Sequence, residues 1–170
     1  MFSTIKADYK RYKNANGKFE WYEPSFPVLL FFRIGSAIRR IKFTPLRIFF
    51  TLFHLPIYSF LCLITGISIP RGCQIGKGLR IYHFGCIVLN PETQMGENCT
   101  LRHGVTIGNR TGDHDVPVIG NNVEFGAGCK VLGDIKIGNN VVIGANAVVI
   151  KDVPDNHAAV GIPAKNISIE

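Results

Sequence analysis

Three stretches of the chain hold the histidines that are best suited to chemistry. His83 lies in the apolar run LRIYHFGCIVL and His103 in LRHGVTIG, while His114 stands between Asp113 and Asp115 in TGDHD. A neutral imidazole accepts a proton near pH 7, which makes His83 and His103 candidate general bases. The cluster of Asp113, His114 and Asp115 is a candidate binding site for a polar substrate.

Each of these residues also has a structural interpretation. His83 could simply pack between its aromatic neighbours, Tyr82 and Phe84. His103 could orient His83, contact a substrate or hydrogen-bond a backbone carbonyl, and TGDHD is also ordinary loop composition. Tyr82 is counted among the candidate substrate-binding residues, although it carries no charge with which to orient His83.

A repeat of six residues indicates the elements that position these side chains. Bulky apolar residues recur at every sixth place from Ile69 to Ile87 and, after a slip of two residues, from Met95 to Val149. The single exception is Asp113, which falls in one of these slots and is therefore expected on a loop. Glycine follows most of the bulky residues, and the fifth place of each hexad is mostly small or β-branched. Neither a helix nor an alternating strand has this period.

This pattern predicts a parallel β-helix of triangular cross-section, with short strands joined by tight corners. His83 and His103 are both third in their hexads, and the register places them one above the other at one corner. The same count places Asn121 and Asn139 further along that column. A prism with flat faces and open ends is also expected to carry a cap and to self-associate.

The chain divides into an N-terminal helical region, residues 1–66, and a β-helix domain, residues 67–170. The first region has apolar residues at helical spacing. A cluster of basic residues lies between two apolar segments: Arg33, Arg39, Arg40, Lys42 and Arg47. Residues 48–70 carry no charge. Because Pro56 would break a helix in the middle of that stretch, we expect two short helices there rather than a membrane span. Peripheral contact of this region with anionic lipid is a further hypothesis.

Composition excludes several functions. The net charge of +7 suits an anionic partner, but the aromatic residues do not interleave with Lys and Arg as they would for nucleic acid. The five cysteines form no C-x-x-C pair and are interpreted as buried apolar residues in a reducing compartment. The polar start of the chain is not typical of a secretory signal, so we expect a cytoplasmic protein, with any membrane contact peripheral to the inner face. A zinc site needs three converging ligands, which the histidine spacing does not supply, and we expect no metal.

Several segments resemble the left-handed β-helix acyltransferases, in particular the serine O-acetyltransferases and their relatives in capsule and colanic acid synthesis. These segments are ITGISIPRGCQIGKGLRIYH, LRHGVTIGNRTGD, FGAGCKVLG, IGANAVVIKDVPDN and AVGIPAK, together with the N-terminal IKADYKRY. The resemblance implies a homotrimer, acetyl-CoA in the groove between neighbouring prisms, and His83 as the base that deprotonates the acceptor hydroxyl. It also implies cofactor contacts from Asn109, Ala127, Ala145, Lys151 and Lys165.

The chain departs from the serine enzymes of that family at three places. Ser68 and Tyr82 stand where those enzymes have aspartates, and HDVPVIG replaces their Arg-His-Pro run. The resemblance therefore predicts acetyl transfer to a hydroxyl of a surface polysaccharide or of its sugar precursor. O-acetylation of L-serine in cysteine synthesis is the second hypothesis, and a non-catalytic β-helix scaffold is the third.

Overall fold

The computed structural model describes residues 1–20, 23–112 and 114–169, in which three helices precede a parallel β-helix. The helices are α1 Phe2–Arg11, α2 Ser25–Arg39 and α3 Thr44–Thr65. The strands are β1 Ile67–Ser68, β2 Gln74–Ile75, β3 Arg80–Tyr82, β4 Ile87–Leu89, β5 Gln94–Met95, β6 Thr100–Arg102, β7 Thr106–Gly108, β8 Val118–Ile119, β9 Glu124–Phe125, β10 Lys130–Leu132, β11 Lys136–Ile137, β12 Val142–Ile143, β13 Val148–Val149, β14 His157–Gly161 and β15 Ala164–Ser168.

The strands form three sheets, and successive strands of the chain pass from one sheet to the next. Sheet I has the order β1-β4-β7-β10-β13, sheet II the order β2-β5-β8-β11, and sheet III the order β3-β6-β9-β12-β14, with β15 antiparallel at its end. Each coil therefore has three sides and three corners. The predicted fold class, a left-handed parallel β-helix with an N-terminal helical region, is confirmed.

The bulky residue of each hexad fills the interior of the prism. Along sheet III, Ile81, Leu101, Phe125 and Ile143 are all at most 1% exposed. The corners are crowded, because a Cβ on Gly126 would lie 2.5 Å from the backbone nitrogen of Ala145. This explains why glycine follows the bulky residue at such corners.

The register predicted beyond residue 107 is wrong by one side of the prism. The count assigned a hexad to residues around 113, but β7 ends at Gly108 and the next strand, β8, begins at Val118 on sheet II. The described residues of the intervening segment, 109–112 and 114–117, form no strand and so add no side to the prism. Asn121 and Asn139 consequently stack on each other at the corner between sheets II and III, away from the two histidines.

Residues 44–65 form one helix, which contradicts the predicted pair of short helices. Pro56 lies inside α3 on its exposed side. Since a helix bends with its convex side toward solvent, an outward-facing proline is accommodated by curvature rather than by a break. By length and composition α3 could cross a membrane, with a mean hydropathy of 1.9, and only 17% of that segment is buried.

A buried ion pair attaches the helical region to the first coil. Arg33 donates to both carboxylate oxygens of Asp8, at 2.8 and 3.2 Å, and also to the carbonyl oxygens of Ile75 and Gly76. Asp8 in turn accepts the backbone N–H groups of Gly78 and Leu79. Both carboxylate oxygens of Asp8 and all three guanidinium nitrogens of Arg33 therefore have hydrogen-bond partners, which offset the cost of burying the two charges.

The cysteines only partly follow the prediction that they are buried. Cys73, Cys99 and Cys129 are buried, and burial raises the pKa of the Cys129 thiol to about 12. Cys86, in contrast, is exposed and adopts a positive φ of 53° in the corner that begins with His83. It follows the bend of that corner rather than filling the interior.

Candidate active site

His83 and His103 meet at the corner between sheets III and I. Strands β3 and β6 pair in parallel with Tyr82 opposite Arg102, so the residues that follow them are neighbours. Their ring centroids lie 6.0 Å apart at an interplanar angle of 61°, and both side chains are exposed. The structure thus contains the stacked pair that the period of six predicts.

The backbone of His83 is in the left-handed region, with φ of +65°. The other non-glycine residues with positive φ in the described ranges are five asparagines and Cys86. This conformation costs a non-glycine residue about 1–3 kcal/mol and is found preferentially where a side chain must be aimed. At this corner it directs an imidazole outward from the prism.

No described residue hydrogen-bonds either imidazole, although both rings are accessible. Two guanidinium groups lie close to the Tyr82 ring, with Cζ of Arg80 4.4 Å and Cζ of Arg102 5.4 Å from its centroid. Tyr82 points outward, as its place in the hexad predicts, but its hydroxyl does not orient His83. Arg102 was not among the predicted site residues, and its outward position next to His103 was the available signal.

Beyond the histidines, the same corner continues with small residues. Gly128 donates its N–H to the carbonyl oxygen of His103, and Asn146 donates to that of Ala127. Ala127 and Ala145 therefore occupy the positions that the asparagines were expected to fill. The corner therefore presents two imidazoles followed by two alanines.

Lys130 is a second residue that the sequence analysis missed. Its ammonium donates to the carbonyl oxygen of Gly104 at 2.5 Å, immediately after His103. Lys130 lies on the strand that follows the Ala127 corner, at an outward position of sheet I. It adds a positive charge beside the histidine corner.

His114 and Asp115 lie at a different corner of the prism from His83 and His103. His114 Nδ1 is 2.9 Å from Oε1 of Glu92, which precedes β5, so both residues lie where sheet I passes into sheet II. Asp115 organises the loop, because its carboxylate accepts the backbone N–H groups of Arg110, Thr111 and Gly112. The bond from Thr111 in particular lowers the pKa of Asp115. Asp113 lies outside the described residues.

The remaining predicted cofactor residues are exposed and dispersed. Asn109 follows β7 and Lys151 follows β13, so both are near the loop corner. Lys165 lies on β15 opposite Val160. One chain therefore does not bring these three residues to the corner of His83. Within the described ranges no group of three or more His, Cys, Asp or Glu side chains could hold a metal ion.

Comparison with known proteins relates this geometry to a family. Residues 117–151 match the family described as bacterial transferase hexapeptide (six repeats). Over 108 residues the chain is 40% identical to serine acetyltransferase of Helicobacter pylori J99, covering 62% of this chain and 63% of that protein. Over 101 residues it is 46% identical to the Escherichia coli K12 protein named "Putative colanic acid biosynthesis acetyltransferase WcaB", covering 59% and 62%. The chain thus matches less than two thirds of the length of these relatives.

A solved serine acetyltransferase in complex with CoA has the same fold. It superposes with a TM-score of 0.76 at 26% sequence identity, covering 96% of this chain and 66% of that one. The resemblance noted in the sequence therefore extends to the arrangement of the helices and the prism.

Proposed function

We propose that this chain is an acetyl-CoA-dependent O-acetyltransferase with His83 as its general base. The observation that carries the proposal is the exposed pair of His83 and His103 on a corner that continues as Ala127 and Ala145. The names of both relatives and the CoA complex of the similar structure support the donor and the type of reaction.

In this reaction the acceptor oxygen attacks the thioester carbonyl carbon while the His83 imidazole takes the hydroxyl proton. The C–S bond of the tetrahedral intermediate then breaks, and the sulfur of CoA receives the proton back from the imidazolium. A positioned base contributes about 10² to 10⁴ in rate. The remaining acceleration would come from holding both substrates in place, with the thioester arm along Ala127 and Ala145.

A homotrimer would complete the site. The histidines stand on one corner of the prism, whereas Asn109, His114 and Lys151 stand on another. A groove between two chains would place the histidine corner of one beside the loop corner of its neighbour. A group from the neighbour could then hydrogen-bond His83, whose imidazole no described residue of its own chain orients.

For the acceptor we favour a sugar hydroxyl. L-serine brings an ammonium group that needs a carboxylate partner once it leaves water. Ser68 and Tyr82 occupy the places where the family's serine enzymes have aspartates, and no described carboxylate contacts His83 or His103. The amphipathic Tyr82 ring, with the exposed guanidinium of Arg102 beside it, suits a neutral or anionic sugar. The identity to the WcaB relative supports the same acceptor class.

L-serine is the second candidate, and the comparisons support it more than they support a sugar. Serine acetyltransferases of Helicobacter pylori, Synechococcus elongatus and Mycobacterium tuberculosis match this chain at 40%, 44% and 42% identity, and the solved structure with CoA is also a serine acetyltransferase. The acceptor assay must therefore include both classes of compound.

The test measures CoA release by the purified full chain from acetyl-CoA with L-serine, UDP-N-acetylglucosamine or de-O-acetylated polysaccharide. We expect release to depend on a sugar acceptor; release that depends on L-serine would make the second candidate correct. His83→Ala should lower the rate by about 10² to 10⁴, whereas the matched variant His157→Ala should retain it. Because Cys86 is exposed and reacts with thiol reagents itself, each assay needs an enzyme blank. An active His83→Ala variant would overturn the assignment of the base.

A further inference from the structure

The stretch from α2 through the first coil of the β-helix has a strongly one-sided charge. Between Pro24 and Pro91 the chain has eight Lys and Arg residues and no Asp or Glu. Three of the eight pair with acids outside this stretch: Arg33 with Asp8, Lys77 with Glu97 and Arg80 with Glu20. The other five have no acidic partner among the described residues: Arg39, Arg40, Lys42, Arg47 and Arg71.

Three of these unpaired arginines line one pocket. Arg39, Arg47 and Arg71 surround about 460 Å³ between α2 and α3, together with Ile48 and other residues of α3. Three positive charges around one pocket repel one another, and an anion between them would relieve that repulsion. The pocket is therefore suited to a phosphate group.

Arg71 is built into the pocket rather than lying free in solvent. Its side chain passes between α2 and α3, where a Cβ on Gly35 would lie only 2.6 Å from Cδ of Arg71. Its Nη1 atom is buried and has no hydrogen-bond partner. A buried guanidinium nitrogen without a partner is costly, and an anion in the pocket that this guanidinium lines would offset part of that cost.

The outer face of α3 next to this pocket is apolar and uncovered. One face is fixed to the protein, since His54 Nε2 lies 2.8 Å from the carbonyl oxygen of Phe31 and the Tyr58 hydroxyl donates to that of Ile69 at 2.6 Å. The other face leaves large side chains in solvent, with Leu52 66%, Phe53 63% and Leu63 81% exposed. Leu52 belongs both to this face and to the wall of the pocket.

We propose that α3 lies in the surface of an anionic membrane, with its outer face among the acyl chains and a lipid phosphate in the pocket of Arg39, Arg47 and Arg71. An apolar helix face bordered by unpaired cations is the arrangement of interfacial helices. A second copy of the chain meeting this face about a two-fold axis would bring the same cations together, because such an interface pairs identical surfaces. The contacts of His54 and Tyr58 hold α3 along the protein and so favour an interfacial helix over a spanning one.

The test is flotation of the full chain with vesicles of phosphatidylcholine alone or with 30% phosphatidylglycerol. We expect binding to the anionic vesicles and a weakening of that binding as salt rises. Arg39→Gln with Arg47→Gln should reduce the partition constant for the vesicles about tenfold or more, and Phe49→Ser with Phe53→Ser should also reduce it strongly. The matched controls are Lys18→Gln with Lys136→Gln and Ile162→Ser with Ile167→Ser, which change exposed residues elsewhere and should bind normally.

Four results would overturn the proposal. One is that the chain does not float with anionic vesicles at low salt. Another is that inorganic phosphate binds the pocket while the vesicles do not, which would indicate a site for a free anion. A third is that Phe49→Ser with Phe53→Ser leaves flotation unchanged but halves the molecular mass in light scattering, which would indicate a face between copies. Resistance of the bound chain to carbonate extraction would indicate a spanning helix. Circular dichroism of each variant excludes loss of the fold.

Discussion

The β-helix and the helical region of this chain bury their apolar side chains in different ways. In the β-helix each bulky residue points into the prism, as Ile81 and Leu101 do with no exposed surface. In the helical region α3 buries one narrow face and leaves Phe53 and Leu63 more than half exposed. Each coil of the β-helix thus buries its apolar side chains inside the prism. The helices are instead held to it by a few specific polar contacts, and one face of α3 stays open to a partner.

The largest expected change in stability comes from breaking the contact that joins the two regions. Asp8→Ala leaves Arg33 buried without its partner and frees the N–H groups of Gly78 and Leu79. We expect a loss of about 3–5 kcal/mol in the free energy of unfolding, measured in urea. The control Glu97→Ala breaks the exposed pair with Lys77 and should cost less than about 1 kcal/mol. Equal effects would mean that the regions are not coupled through Asp8.

A leucine-to-alanine substitution in each region tests this difference in burial. Leu101→Ala in the prism should cost about 2–5 kcal/mol, because a cavity remains in a packed interior. Leu52→Ala on α3 should change the free energy of unfolding by no more than about 0.5 kcal/mol without lipid. If Leu52→Ala proves as costly as Leu101→Ala, the outer face of α3 is covered in solution.

A smaller effect separates two corners within the β-helix. Asn139→Ala removes the acceptor for the backbone N–H and the side chain of Asn121, at 2.9 and 3.1 Å, and should cost about 1 kcal/mol without changing turnover. His103→Ala should do the reverse, lowering the rate of acetyl transfer while the unfolding free energy changes by at most about 0.5 kcal/mol. Thermal unfolding and CoA release on both variants check this prediction. If His103→Ala leaves the rate of acetyl transfer unchanged, His103 takes no part in the reaction.

The sequence predicts the fold and the histidine pair because both depend on spacing alone. A bulky residue at every sixth place has one way to be buried, and the corner positions follow by counting from His83 to His103. Counting fails at residues 108–118, since the period continues through this stretch of the sequence while its described residues between β7 and β8 form no strand. The column of Asn121 and Asn139 was misplaced for that reason, and with it the position of Ala127 and Ala145 next to the histidines was missed.

The sequence predicts the structure of the helical region less completely than that of the β-helix. A proline in an apolar stretch indicates a break, but whether Pro56 interrupts α3 depends on which face it occupies in the folded chain. An unpaired cation such as Arg71 becomes visible only when α2 and α3 pack and enclose it. The hexads, the corner histidines and the one-sided charge can be read from the order of residues, because each is a matter of spacing or count. The side of the prism on which each group stands, the continuity of α3 and the convergence of three arginines arise only when distant segments pack together.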